Sequence, residues 1–357
     1  PNQLAFITGG GLDLTADGRF ELTSQVAIPA VIGGGQEGGG ADGNGKKSYY
    51  VVSATGHTIM DAGQSLQTRL SRQLFYGHRE VILVGQRMAE HGLREFADMY
   101  VRNPKSELRS RIYVVKGGSA KDVLSVEPIF DPYTAMALVN EQTILNIEPY
   151  YFRNFLMEAL SQGMHPLVPA VSMTPARKFQ ASGAAAIDKH DGLKLVGFLN
   201  LQETLYTHWM MGKISNVQVT SFVKEGNGYA TMSVGSLRQR IQTEVEAGRI
   251  RIRVKLSGQG ALIENNTELN PVIEKDLRAM EAAFSRSTQR SVEKLVEKVQ
   301  KQFKIDIFGF GERVHEQHPR RWKTIRQNWD RDFPLVGVSV TVELRCKDPG
   351  MTSSSFQ

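Results

Sequence analysis

Between residues 270 and 304 apolar side chains recur at steps of three and four: Ile273, Leu277, Met280, Phe284, Leu295, Val299 and Phe303. That spacing predicts one long helix, 271–304, with a continuous apolar stripe. Burying such side chains is worth about 1.5–3 kcal/mol each, so the stripe must lie on a sheet or on other helices. Asn270 and Pro271 suit its start, because an Asn side chain can accept a first-turn N–H and Pro gives up only an N–H that had no partner. Residues 287–291 are polar on every face, so a kink or a shared boundary is expected there.

The segment C-terminal to the helix is more distinctive. Asp306-Ile307-Phe308-Gly309-Phe310-Gly311-Glu312 is succeeded by Val314-His315, His318-Pro319, Trp322-Lys323, Asn328-Trp329-Asp330 and Phe333-Pro334. Gly309 and Gly311 let the backbone turn between two Phe side chains, and Pro319 and Pro334 punctuate two short helical pieces. This run resembles the C-terminal domain of the Ger(x)C family, the lipoprotein C subunits of bacterial spore germinant receptors. The resemblance extends more loosely upstream, to Ser71-Arg72-Gln73-Leu74 with His78, and to 183–187, Leu195-Val196-Gly197 and Gly212-Lys213.

A chain of 357 residues exceeds one comfortable core, so two or three domains are expected. At 41% hydrophobic and 22% charged residues the composition is that of a folded protein. No apolar run approaches the roughly 20 residues needed to cross a bilayer. The sequence starts at Pro1 with neither a basic nor an apolar leader region, so any targeting segment is expected to have been processed or trimmed away. Cys346 is the single cysteine, which rules out an internal disulfide and a cysteine-based metal cluster. A net charge of +6 and a pI near 9.3 suit an anionic neighbour, a lipid surface or a nucleic acid.

Read in order, the chain predicts an α+β protein in three parts: an N-terminal α/β domain at 1–127, a small middle α+β domain at 128–214, and a C-terminal α+β domain at 215–350, with a tail at 351–357. In the first, strands at 4–14 and 19–28 precede a Gly-rich loop, 33–47, with eight glycines. Within it 40–46 matches a phosphate-loop spacing, but Lys47 stands where a Ser or Thr is needed and a strand comes next where a helix must. Strands then alternate with helices at 58–71, 89–101 and 119–124. The middle domain offers strands at 167–173, 179–187 and 194–199 and a closing helix at 201–211. In the last, strands at 217–223, 229–245 (broken or bulged at Gly235), 249–262 and 336–345 form an antiparallel sheet under the long helix.

Catalytic chemistry finds no foothold. His315 and His318 are three apart, where a zinc helix needs four, and Pro319 comes directly after. There is no G-x-S-x-G elbow. Phe308, Phe310, Trp322 and Trp329 could stack nucleobases, but beside glycines at a turn they read as core. No catalytic, metal or cofactor residue is assigned. The feature with functional weight is the strict alternation from Arg249 to Lys255, which turns Ile250, Ile252 and Val254 to a core and puts Arg249, Arg251, Arg253 and Lys255 on the opposite face. These four are the candidate contact with a partner or an anionic membrane.

The resemblance implies a non-enzymatic lipoprotein subunit of a nutrient germinant receptor. It would be anchored by a lipidated cysteine outside this sequence, on the outer face of the inner spore membrane, and assembled with membrane A and B subunits without nucleic acid. The rival reading is a basic nucleic-acid-binding protein using the same strand; a third is a hydrolase whose carboxylates the sequence does not locate.

Overall fold

A computed structural model describes residues 3–28, 48–102, 108–145, 148–246 and 249–348. The glycine-rich loop at 33–47, its phosphate-loop look-alike and the tail at 351–357 lie outside the described residues. The chain divides into two compact units. One comprises Pro1–Leu145, Pro149–Leu160 and Pro166–Asn200; the other Asn146–Glu148, Ser161–His165 and Leu201–Gln357.

The first unit is built on a nine-stranded sheet among the described residues, in the order β3-β2-β1-β5-β6-β7-β8-β9, with the short β4 (Gln73–Phe75) paired in parallel to β1. β1 (Leu4–Leu14) and β3 (Tyr49–Gly56) each pair antiparallel with β2 (Phe20–Ala27) between them. β5 (Val81–Gly85), β6 (Arg111–Lys116) and β7 (Leu167–Met173) run parallel beside β1, and β8 (Phe179–Asp188) and β9 (Lys194–Leu199) return antiparallel. β5 is apolar at every position but its terminal glycine because both faces of the sheet are covered: Ile82 and Val84 join one core with Met88, Phe96 and Phe152, while Val81 and Leu83 join another with Ala120, Leu124 and Leu138. Helices α1 (Ile59–Gln67), α2 (Gln86–His91), α3 (Arg94–Arg102), α4 (Ala120–Leu124), α5 (Thr134–Ile144) and α6 (Phe152–Leu160) connect the strands.

Two differences from the sequence reading have physical causes. The strands expected to form a middle domain at 128–214 continue the first unit's sheet, because β7 pairs in parallel with β6 through Val114 and Ala170. The single helix expected at 89–101 is two, broken at Gly92, whose φ of 121° no helix accommodates. A Cβ there would lie 2.6 Å from the Gly192 carbonyl oxygen. Gly92→Ala is therefore expected to lower the stability of this unit by about 2–3 kcal/mol, read as an earlier loss of far-ultraviolet circular dichroism in urea.

The second unit opens with α7 (Leu201–Met211) and carries a four-stranded sheet in the order β10-β11-β12-β13. β10 (Val217–Val223), β11 (Gly228–Glu246) and β12 (Arg249–Asn265) are antiparallel, with the expected bulge between Gly235 and Arg238. β13 (Gly337–Asp348) pairs parallel to β12, so the sheet is mixed and not wholly antiparallel. The reason is the crossover: the chain leaves β12, passes through the long helix and returns to the same side.

That helix, α8 (Glu274–Lys298), is unbroken through 287–291, where Ser291 bonds back to the Ser287 carbonyl and Thr288 is buried. Its irregularity lies later, in a π turn, Val299–Phe303. Nor does it start at 271. Asn270 Oδ1 accepts from Val272 N in the preceding turn, and Ile273, expected on the stripe, is exposed. Met280, Phe284, Val292, Leu295 and Val299 are buried as the stripe requires.

Candidate functional site

The motif behind α8 is a buried polar knot. Asp306 is fully buried; its Oδ1 accepts from Phe308 N (3.0 Å), and its Oδ2 from Gly311 N (2.8 Å) and the Trp329 indole N–H (3.1 Å). Its own carbonyl accepts from His165 N at 2.7 Å. Gly309, at φ 74°, turns the chain into α9 (Phe310–Gln317), and Pro319 opens α10 (Pro319–Ile325). Burial pushes the Asp306 carboxyl up to about 6, against the donors that pull it down. Phe308, Phe310, Trp322 and Trp329 are all buried, as core and not as stacking platforms.

The two motif histidines do not converge. His318 Nε2 meets the Thr243 carbonyl at 2.7 Å, while His315 stacks on Trp322. Both serve packing, and the knot ties α9 to the short α11 (Trp329–Asp332) through Gly311 and Trp329, with Trp322 of α10 packed edge-on against Trp329.

The sheet's other face is open. β12 alternates as the sequence requires: Ile250, Ile252, Val254 and Leu256 are buried, and Arg249, Arg251, Arg253 and Lys255 are exposed over about 20 Å of strand. Arg253 pairs with Glu244 at 2.9 Å and Lys255 with Glu343 at 2.8 Å, whereas Arg249 and Arg251 have no carboxylate partner among the described residues. Exposed ion pairs of this kind contribute about 0–1 kcal/mol, so the face is not built for stability.

Two further cations were missed in the sequence, Arg238 and Arg240 on β11, exposed beside the four and with Arg240 directly opposite Lys255. Their two-residue spacing was the available signal, obscured by the bulge just before them. At the far end of β10 and β11 the face becomes aromatic: Phe222 and Tyr229, paired across the strands, are both exposed with ring centroids 5.2 Å apart. Arginines and exposed aromatics on one rigid sheet face match the composition of protein interfaces.

One border of this sheet is capped over part of its length. Along 342–346 the outward N–H groups of β13 are taken by side chains of α8: Val342 N by Gln289 Oε1 (3.4 Å), Leu344 N by Ser285 Oγ (3.0 Å) and Cys346 N by Glu281 Oε1 (2.8 Å). Four residues of helix rise about 6 Å and two residues of strand about 6.6 Å, so the ladder stays in step.

Comparison with known proteins decides the family. The model described as "Spore germination protein N-terminal domain" matches residues 1–173, and "Spore germination B3/ GerAC like, C-terminal" matches residues 182–350. The chain belongs to the GerAC-like spore germination family. Within that family it is similar to spore germination protein KC of Bacillus subtilis, 24% identical over 99% of this chain and 92% of that protein. It is also similar to spore germination protein B3 of the same organism, 25% identical over 93% of this chain and 87% of that protein. Among solved structures, the crystal structure of the GerBC protein aligns with a TM-score of 0.60 over 97% of this chain and 99% of that one, at 21% identity, and so shows the GerAC-like fold. No described helix of this GerAC-like chain is long and apolar enough to cross a membrane.

Proposed function

We propose that this chain is a non-enzymatic C subunit of a nutrient germinant receptor, needed for spore germination through assembly with membrane A and B subunits. The observation that carries the reading is the pair of family matches, which together run from residue 1 to residue 350. Germination proteins KC and B3, of similar length and matched nearly throughout, support a role in the same process. The protein sits on the outer face of the inner spore membrane, tethered by a lipidated cysteine outside this sequence. Cys346 is not that cysteine, because it lies within β13, half-buried, with its Sγ donating to the Asp348 carbonyl.

The open sheet face is the contact surface of this reading. Neighbours among Arg249, Arg251, Arg253 and Lys255 stand about 6.6 Å apart along the strand, within a Debye length of about 8–10 Å, so each reinforces the next on an acidic partner surface or on anionic headgroups. Arg251→Glu with Arg253→Glu is expected to leave the thermal midpoint within a few degrees of wild type. In spores the same pair should slow the nutrient response and reduce the protein recovered with the receptor's membrane subunits. Wild-type germination and wild-type recovery from the double variant would remove the face from the assembly. Binding of the isolated chain to DNA or RNA that weakens steeply with salt, without binding to anionic vesicles or receptor subunits, would favour the nucleic-acid reading instead.

A further inference from the structure

The first unit contains a cavity of about 360 Å³, in the range of small-molecule sites. Its floor is the sheet, with Leu22 and Ile82; α1 forms one wall and α3, through Phe96, the other. Protein interiors are close-packed, so a space this large needs a cause. Two glycines provide it. Gly10 leaves the floor without a side chain, and a Cβ there would meet Arg79 Cδ at 3.2 Å. Gly63, inside α1, faces open space, since a Cβ at that position would meet only Leu22 Cδ1 at 3.8 Å.

Arg79 lines the same cavity and is held as a fixed group. Its guanidinium carbon lies 5.5 Å from the Tyr76 ring centroid and 5.2 Å from that of Tyr100, and its Nε donates to Ser110 Oγ at 3.2 Å. Among the described residues it forms no ion pair with a carboxylate, and no acidic residue lines the cavity. A half-buried guanidinium without a carboxylate partner among the described residues, fixed between two rings and lining a largely apolar chamber, is arranged to receive an anion from outside. The apolar walls select what carries that anion. Inorganic phosphate satisfies the cation and leaves the chamber empty, whereas an organic acid with an apolar body fills both.

The geometry points to a binding site in the first unit for a small monocarboxylate, with the carboxylate on Arg79 and the hydrocarbon body between Leu22, Ile82 and Phe96. Nothing in this site depends on the sheet face of the second unit, so the two readings stand or fall separately.

Titration calorimetry with 3-phenylpropionate tests it, using 3-phenylpropanamide and inorganic phosphate as the comparison ligands. The acid should bind saturably at up to about 10 mM, with the amide at least tenfold weaker and phosphate weaker still. Arg79→Gln should weaken the acid at least tenfold. Gly63→Leu fills the chamber and replaces a mid-helix glycine by a better helix former, so it should abolish binding while the fold is retained or strengthened. Because a Cβ at 63 meets nothing closer than Leu22 Cδ1 at 3.8 Å and the rest of the side chain enters the cavity, that variant decides the matter should Arg79→Gln fail to fold. No saturable binding of the acid, an amide that binds as tightly as the acid, or undiminished binding to folded Gly63→Leu would each overturn the site. Phosphate binding as tightly as the acid would overturn the organic-acid assignment.

Discussion

Asp306→Ala is expected to destabilise the second unit by about 3–5 kcal/mol at pH 7, a large share of the 5–15 kcal/mol that holds a typical domain together. The substitution leaves the N–H groups of Phe308 and Gly311 and the Trp329 indole N–H without their acceptor, in a place where no solvent reaches. Trp209, Trp322 and Trp329 are the three tryptophans of the chain and all belong to the second unit, so fluorescence in urea reports this unit alone. A midpoint within error of wild type would show that the knot is incidental.

The same residue leaves a signature in pH. Burial raises Asp306 from 3.8 to about 6, so between those values the folded state holds a proton the unfolded state has lost, and stability falls as pH rises through the window. His208 pushes the other way. Burial first, and then the Lys213 charge, lower it from 6.5 to about 4, so between those values the unfolded state is the more protonated and stability rises with pH. Each shift corresponds to about 3 kcal/mol over its range, so in the intact protein the two largely offset between pH 4 and 6. Asp306→Ala removes one slope and keeps the other, and urea midpoints of the variant should climb with pH across this interval where those of the wild type stay nearly level.

The second large effect is steric. Gly311→Ala would put a Cβ 2.7 Å from Gly163 Cα, 2.7 Å from Trp329 Nε1 and 2.8 Å from the Gly163 carbonyl oxygen. Two of these contacts are backbone, which cannot rotate away, and the third is the indole nitrogen that serves Asp306. A loss of about 2–4 kcal/mol is expected, again by tryptophan fluorescence in urea. The reciprocal change, Gly163→Ala, would meet Glu312 N at 2.5 Å and should cost a similar amount. Combining the two should cost less than their sum, because a backbone displaced by one has already made room for the other.

Much of this was written in local pattern. The strict alternation from Arg249 to Lys255 places every side chain on the face it occupies, and Leu201–Met211, Leu167–Met173 and Lys194–Leu199 begin and end where apolar spacing and flanking turns put them. Pairing partners were less legible. That β7 joins β6 rather than opening a separate sheet depends on hydrogen bonds between residues more than fifty positions apart, which no local period encodes. The parallel sense of β13 has the same origin, being set by the route of the chain around α8. Thr134–Ile144 went unread because apolar and polar residues share its faces with no dominant stripe. The cavity was invisible for a different reason: it comes from what Gly10 and Gly63 lack, and an absent side chain acquires meaning only once its neighbours are known.

The helix-to-strand ladder along β13 restricts how other chains can join this molecule. An incoming strand seeking to pair with residues 342–346 of that border would have to displace Glu281, Ser285 and Gln289 to reach the N–H groups they hold. Main-chain templating, the route by which exposed borders seed unwanted polymers, is thereby blocked along 342–346. Recognition along that stretch must be read out by side chains.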